Sequence, residues 1–253
     1  MFKETQIVLS EKLTLNLLNI ENYSKEFIEL IEQEIGHIRN GDLSDEDIIY
    51  IKKSIKRWFQ KKGEDERPKI GYVAEFISHL YLRTKKFEQY FLFKNLEDNG
   101  PKKGFDGLYL KDEEIWLLES KSTGDFKKNH ATKISEAYKD IKNKIESLNL
   151  KDNNPWENSK NHLENRNIKE NENLSKKINK LSEDFLNQIP HKIEEYNIIP
   201  SSTIFMGDKF KITDNEKLKI KLEGLCKDFG AKKLNVLCVN KKSIDDFIKF
   251  ING

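Results

Sequence analysis

The chain is short of the features that would place it outside the cell or in a membrane. Only two cysteines occur in 253 residues, Cys226 and Cys238. Two cysteines cannot build a disulfide framework, and these lack the spacing of a metal-binding pair. Cys238 falls inside the apolar run 234–239, where a small buried hydrophobe is expected. No apolar stretch approaches the ~20 residues that span a bilayer. The opening Met-Phe-Lys-Glu-Thr-Gln has no apolar signal core. These absences lead to the expectation of a cytoplasmic protein with no membrane partner. Net charge is scarce as well, since 45 Lys+Arg against 43 Asp+Glu leave +2. That balance excludes a histone-like or tail-like polyanion binder, yet it permits a local basic surface. No internal repeat is visible.

What is present is periodic. After a short extended opening, Phe27, Leu30, Ile31, Ile35 and Ile38 recur at helical spacing, and Gly41 follows as a stop. Ser44 reads as the N-cap of a second helix striped by Ile48, Ile51, Ile55, Trp58 and Phe59. Residues 61–69, with Gly63 and Pro68, read as a loop. Residues 1–66 thus predict a mostly helical N-terminal region, in which no chemistry can be named, ahead of a main domain over 67–253. Ile70 to Leu80 predicts a helix ending near Thr84, the aromatic run 87–93 a strand, and 98–104 a turn. Residues 105–110 and 114–121 predict two strands about the hairpin turn Lys111-Asp112-Glu113. A helix over 129–148 carries Ile134, Ala137, Tyr138, Ile141 and Ile145 on one face. The Asn- and Lys-rich stretch at about 151–190 has few large apolar residues and reads as an insertion or mobile lid, with a helix near Leu174 to Ile189. A strand at 203–206, a helix at 216–229, a buried strand at 234–239 and a terminal helix from Ser243 complete the chain. The order predicts an α/β fold, a mixed central sheet flanked by helices.

The hairpin carries the chemistry. Residues two apart on a strand share a face, so Glu119 and Lys121 point together while Ser120 points away. Ending the apolar run Ile115-Trp-Leu-Leu118 with Glu-Ser-Lys puts charges where buried hydrophobes are expected. Asp106 begins the partner strand, and across a short hairpin the start of one strand faces the end of the next. Two carboxylates and a lysine converging at a sheet edge are a minimal answer to phosphodiester hydrolysis. A hard divalent cation takes the carboxylates and activates water, and a nearby ammonium helps hold that water.

Phe105-Asp106-Gly107 followed by Glu119-Ser120-Lys121 resembles the Asp…Glu-x-Lys signature of the PD-(D/E)XK nuclease superfamily, whose core is restriction-endonuclease-like. The helix–three strands–helix order about residues 70–150 resembles it too. Two departures are plain: Lys103-Gly-Phe stands where a proline often precedes the Asp, and Ile134 occupies the Gln position of the Gln-x-x-x-Tyr element ending at Tyr138. Within the superfamily, Gly-Phe-Asp-Gly, Leu-Leu-Glu-Ser-Lys and the following helix resemble the HamA nuclease of the Hachiman anti-phage system. The resemblance implies Asp106 and Glu119 as ligands of Mg²⁺, with Mn²⁺ substituting, and the Ser120 carbonyl as a third ligand. It implies Lys121 at the attacking water and Glu75, on the preceding helix, as a further catalytic carboxylate that binds a second metal or orients a ligand. Seven lysines between 121 and 150 against four acids make a modest basic stretch, so Lys127, Lys128, His130 and Lys133 are candidate phosphate contacts. DNA is the implied substrate, with a helicase partner in a defence complex and a homodimer as further expectations. A type II-like restriction endonuclease and a non-catalytic nucleic-acid-binding or docking module are the alternatives.

Each signal also has a plainer reading. A Glu-x-Lys alone is an ordinary surface ion pair, and it gains meaning from Asp106 and the element order. Glu75 by itself is a solvated helix position, and the basic stretch by itself a solvated helix face. His79 reads as a structural histidine, Trp116 as core, and Trp156 as an anchor for the insertion rather than a base-stacking platform.

Overall fold

A computed structural model describes residues 2–96, 104–125, 127–147, 149 and 153–253. The expected turn at 98–104 lies outside the described residues except for Gly104. Among the described residues the chain builds one seven-stranded mixed sheet covered by helices on both faces. No helix among them is long and apolar enough to cross a membrane.

The extended opening is a hairpin, β1 (Lys3–Ser10) and β2 (Leu13–Ile20). It joins the same sheet as the hairpin β4 (Gly107–Lys111) and β5 (Glu114–Thr123). The sheet is completed by β3 (Glu88–Gln89), β6 (Asn197–Phe205) and β7 (Lys233–Lys241). Its order is β1-β2-β7-β6-β5-β4-β3. The central strands β2, β7, β6 and β5 run parallel, and the outer pairs are antiparallel.

Parallel strands covered on both faces are apolar throughout. Successive side chains enter opposite cores: Leu117, Ile198 and Val236 point to one face, Leu118, Ile199 and Leu237 to the other. The second of these cores is roofed by α1 (Lys25–Asn40), α2 (Ile48–Lys61), α3 (Glu66–Thr84) and α8 (Asp245–Asn252). The first is roofed by α4 (His130–Glu146), α5 (Pro155–Leu163), α6 (Glu172–Leu186) and α7 (Asn215–Cys226).

Four expectations need correction. The cap of α2 is Asp47, whose carboxylate accepts from the Ile49 and Tyr50 amides, rather than Ser44. Helix α3 begins at Glu66, inside the expected loop; Asp65 caps it, and Pro68 sits in the first turn, where its missing N–H costs nothing. The aromatic run pairs only through β3. Its Leu92 amide donates to His162 Nδ1 at 3.0 Å instead of to a strand, while Tyr90, Phe91, Leu92 and Phe93 turn inward as core. Finally, the described part of the expected insertion, residues 153–190, is no lid. Trp156 is 1% exposed and packs on Phe105 and Tyr196, and Leu174, Ile178, Leu181 and Phe185 of α6 are buried with it. A few apolar residues at helical spacing are enough to seat two helices on the sheet.

Candidate active site

The register of the second hairpin sets the site. Gly107 faces Leu118 across β4 and β5, so Asp106 stands beside Glu119. The Asp106 amide donates to the Leu118 carbonyl at 3.0 Å, and the Ser120 amide returns a bond to Asp106 Oδ2 at 2.8 Å. Asp106 is thereby locked to the strand that carries Glu119 and Lys121. Gly107 is required by crowding: a Cβ there would lie 2.8 Å from the buried Tyr109 ring and 3.2 Å from His79 Cε1.

Glu119 and Lys121 point toward α4, in keeping with the alternation along β5. Lys121 Nζ donates to Glu119 Oε1 at 3.0 Å and pairs with Asp140 of α4. Lys144, one turn further along α4, donates to Glu119 Oε2 at 2.6 Å. Charges therefore alternate in a row: Lys144, Glu119, Lys121, Asp140. Burial, reinforced by the neighbouring Asp106 charge, pushes the Glu119 carboxyl up to about 7, against the opposing pull of Lys144 and Lys121. Burial works against the charged form of Lys121, but Glu119 and Asp140 more than offset it and raise the ammonium above its ordinary value. Burial likewise opposes ionisation of Asp140, yet Lys121 holds that carboxyl below its ordinary value.

Glu75, Asp106, Glu119, Ser120 and Lys121 all line one cleft of about 300 Å³, with Trp58, Pro68, Gly71 and Tyr72 as the remaining wall. Glu75 lies 3.8 Å from His79 Nε2, and His79 Nδ1 in turn hydrogen-bonds the buried Tyr109 hydroxyl. His79 is fully buried and stacks on Phe91, so it supports the cleft from behind.

The other expected contacts are placed elsewhere. His130 is not among the cleft residues: it is buried, and its ring nitrogens hydrogen-bond Ser202 Oγ at 2.9 Å and Asn240 Oδ1 at 3.0 Å. Burial pulls it down to about 4, outweighing those two bonds, so it is a neutral structural group. Lys133 is engaged by Glu136 at 2.6 Å, and Lys127 and Lys128 are exposed on the loop before α4. Three contributors escaped the sequence reading. Lys144 and Asp140 counted only as members of a charged stretch, although their spacing of four puts both on one side of α4. Trp58 belongs to a region in which no chemistry was named, and only its stripe position in α2 signalled that it would be covered.

Among the described residues no group of three or more His, Cys, Asp or Glu is assembled to hold a metal ion. The candidate donors are the adjacent Asp106 and Glu119, and Mg²⁺ usually takes one or two carboxylates and completes its shell with water and substrate. The donor set also fits in charge. Four carboxylates at the site (Glu75, Asp106, Glu119 and Asp140) face two ammonium groups, Lys121 and Lys144, leaving an excess that a divalent cation would neutralise.

The sequence model of the HamA family matches residues 6–252, nearly the whole chain. A search of curated proteins finds no significant match.

Proposed function

Since the chain belongs to the HamA family, a component of Hachiman antiviral defence, we propose that its cleft hydrolyses phosphodiester bonds in DNA with the aid of Mg²⁺. The observation that carries this reading is the locked pair of Asp106 and Glu119 with Lys121 beside them. A surface ion pair would not bury Glu119 to 3% exposure. Nor would it set a second carboxylate against Glu119, an arrangement that raises the free energy of the empty site and favours a cation.

Asp106 and Glu119 would hold the metal, with the Ser120 carbonyl as a further oxygen donor. Once bound, Mg²⁺ neutralises charge on the phosphoryl oxygens and lowers the pKa of the attacking water. The chain's own residues do the rest. Lys121, kept fully charged by Glu119 and Asp140, orients the water and stabilises hydroxide. Glu75, backed by His79, stands on the far wall as a second acceptor for water or metal. Trp58 and Tyr72 exclude bulk water from one side. Family membership favours a defence effector over a type II-like restriction enzyme, and it supports a helicase as the partner with which the chain works.

The test is cleavage of supercoiled plasmid by wild type and by Asp106→Ala, Glu119→Ala and Lys121→Ala, with Mg²⁺, with Mn²⁺ and with EDTA. We expect metal-dependent nicking that falls at least about 100-fold in each variant, the scale lost when one preorganised electrostatic group is removed, while each variant stays folded. Undiminished cleavage by Glu119→Ala would sink the site assignment. If wild type stays inert even with its helicase partner present, the fold is a binding module rather than an enzyme.

A further inference from the structure

Glu119 has both oxygens occupied, Oε1 by Lys121 and Oε2 by Lys144. Each oxygen keeps a second lone pair, but a cation held between Asp106 and Glu119 would share one of those oxygens with an ammonium, and the repulsion between like charges favours withdrawal of one lysine. The two lysines are not equally free to withdraw. Lys121 rises from the same strand as Glu119 and is tethered at its far side by Asp140. Lys144 reaches in from α4, 25 residues along the chain from Glu119. Both lysine side chains are 28% exposed, so the difference between them lies in the Asp140 tether of Lys121 and not in access to solvent. Lys144 Nζ also lies 6.0 Å from the centroid of the Phe105 ring, a distance at which a cation is only weakly held.

Resting on the nuclease reading above, we propose that Lys144 is the resident counter-ion of the metal site, occupying the Glu119 oxygen that a divalent cation takes and leaving when the cation binds. In this arrangement the ammonium offsets part of the repulsion between the two carboxylates while the metal is absent. Metal affinity is then set by competition. A cation has to replace a short charge-assisted hydrogen bond rather than enter a vacant site, which weakens binding and makes occupancy respond to metal concentration.

The experiment is calorimetric titration of Mn²⁺ into the full chain without DNA, so the readout is binding and not cleavage. Wild type is compared with Lys144→Met, Lys144→Gln, Lys144→Arg and Glu119→Gln. Methionine preserves the length and packing of the stem, and glutamine retains a polar tip should methionine fail to fold. We expect Mn²⁺ to bind about tenfold more tightly to the Met or Gln variant, corresponding to about 1.4 kcal/mol. Arginine should restore wild-type affinity, and Glu119→Gln should lose binding. A lysine with a merely structural role would leave affinity unchanged or lower when removed. Equal or weaker binding by the Met and Gln variants, with binding still dependent on Glu119, overturns the inference and leaves the metal-site reading standing. Absence of Glu119-dependent binding in wild type and in every Lys144 variant overturns both.

Discussion

Replacing Glu119 by Gln removes a charge while keeping the shape of the side chain, and it converts the electrostatics of the cleft into a measurable slope. In the folded chain Glu119 keeps its proton to about pH 7, chiefly because it is buried and beside Asp106. Unfolded, it releases the proton near the ordinary 4.5. The folded state therefore binds more protons than the unfolded state between these values. Its contribution to stability is fully present below pH 4.5 and is lost as the pH rises to about 7. At about 1.4 kcal/mol per unit the loss is about 3 kcal/mol. His130 acts in the opposite sense over nearly the same range. Burial holds it near 4 against an ordinary 6.5, so its contribution is present above 6.5 and lost as the pH falls to 4, again by about 3 kcal/mol. The two slopes offset one another in wild type and separate in the variants. Urea denaturation in EDTA, taken at intervals from pH 4.5 to 7.5, should show Glu119→Gln gaining about 3 kcal/mol on wild type as the pH rises. His130→Gln should fall behind wild type over the same interval. A Glu119→Gln difference that is flat with pH would refute the account of a buried, like-charge-perturbed carboxylate.

Two further predictions concern the scaffold. Trp156→Ala should cost about 3–5 kcal/mol, the range for removing a fully buried aromatic, measured by denaturant titration. A cost below about 1 kcal/mol would return residues 155–186 to the status of a detachable insertion. Gly107→Ala should cost about 1–3 kcal/mol through overpacking against Tyr109 and His79. At roughly 2–4 °C per kcal/mol for a chain of this size, the melting temperature should drop by several degrees, and an unchanged melting curve would show that the Tyr109 and His79 rings yield more readily than their packing implies.

Much of the fold was legible because it is written in short-range period. The stripes of α1, α2 and α4, the hairpin at 112–113 and the apolar run of β7 each follow from neighbours three, four or two residues apart. The misreadings share a cause. Ser44 and Asp47 are both able to cap a helix, and only packing chose between them. The run 87–93 has strand composition, yet past Tyr90 the Leu92 amide finds its partner in a side chain of α5, which no local pattern announces. The stretch at 151–190 is polar on average, whereas six or so apolar residues on the right faces of α5 and α6 suffice to bury them.

The same division runs through the site. The alternation Glu119-Ser120-Lys121 and the position of Asp106 across a short hairpin follow from the sequence by itself, because strand geometry forces residues two apart onto one face and hairpin pairing brings the strand ends together. The exclusion of a disulfide scaffold rests on sequence alone as well. Only the tertiary structure decided that Lys144 and Asp140 complete the charge row, that Trp58 walls the cleft, that His130 is sealed between Ser202 and Asn240, and that the N-terminal hairpin extends the sheet through β7. Each of these depends on contacts between residues far apart in the chain, and such contacts are chosen by the burial of whole faces rather than by the preference of any one segment.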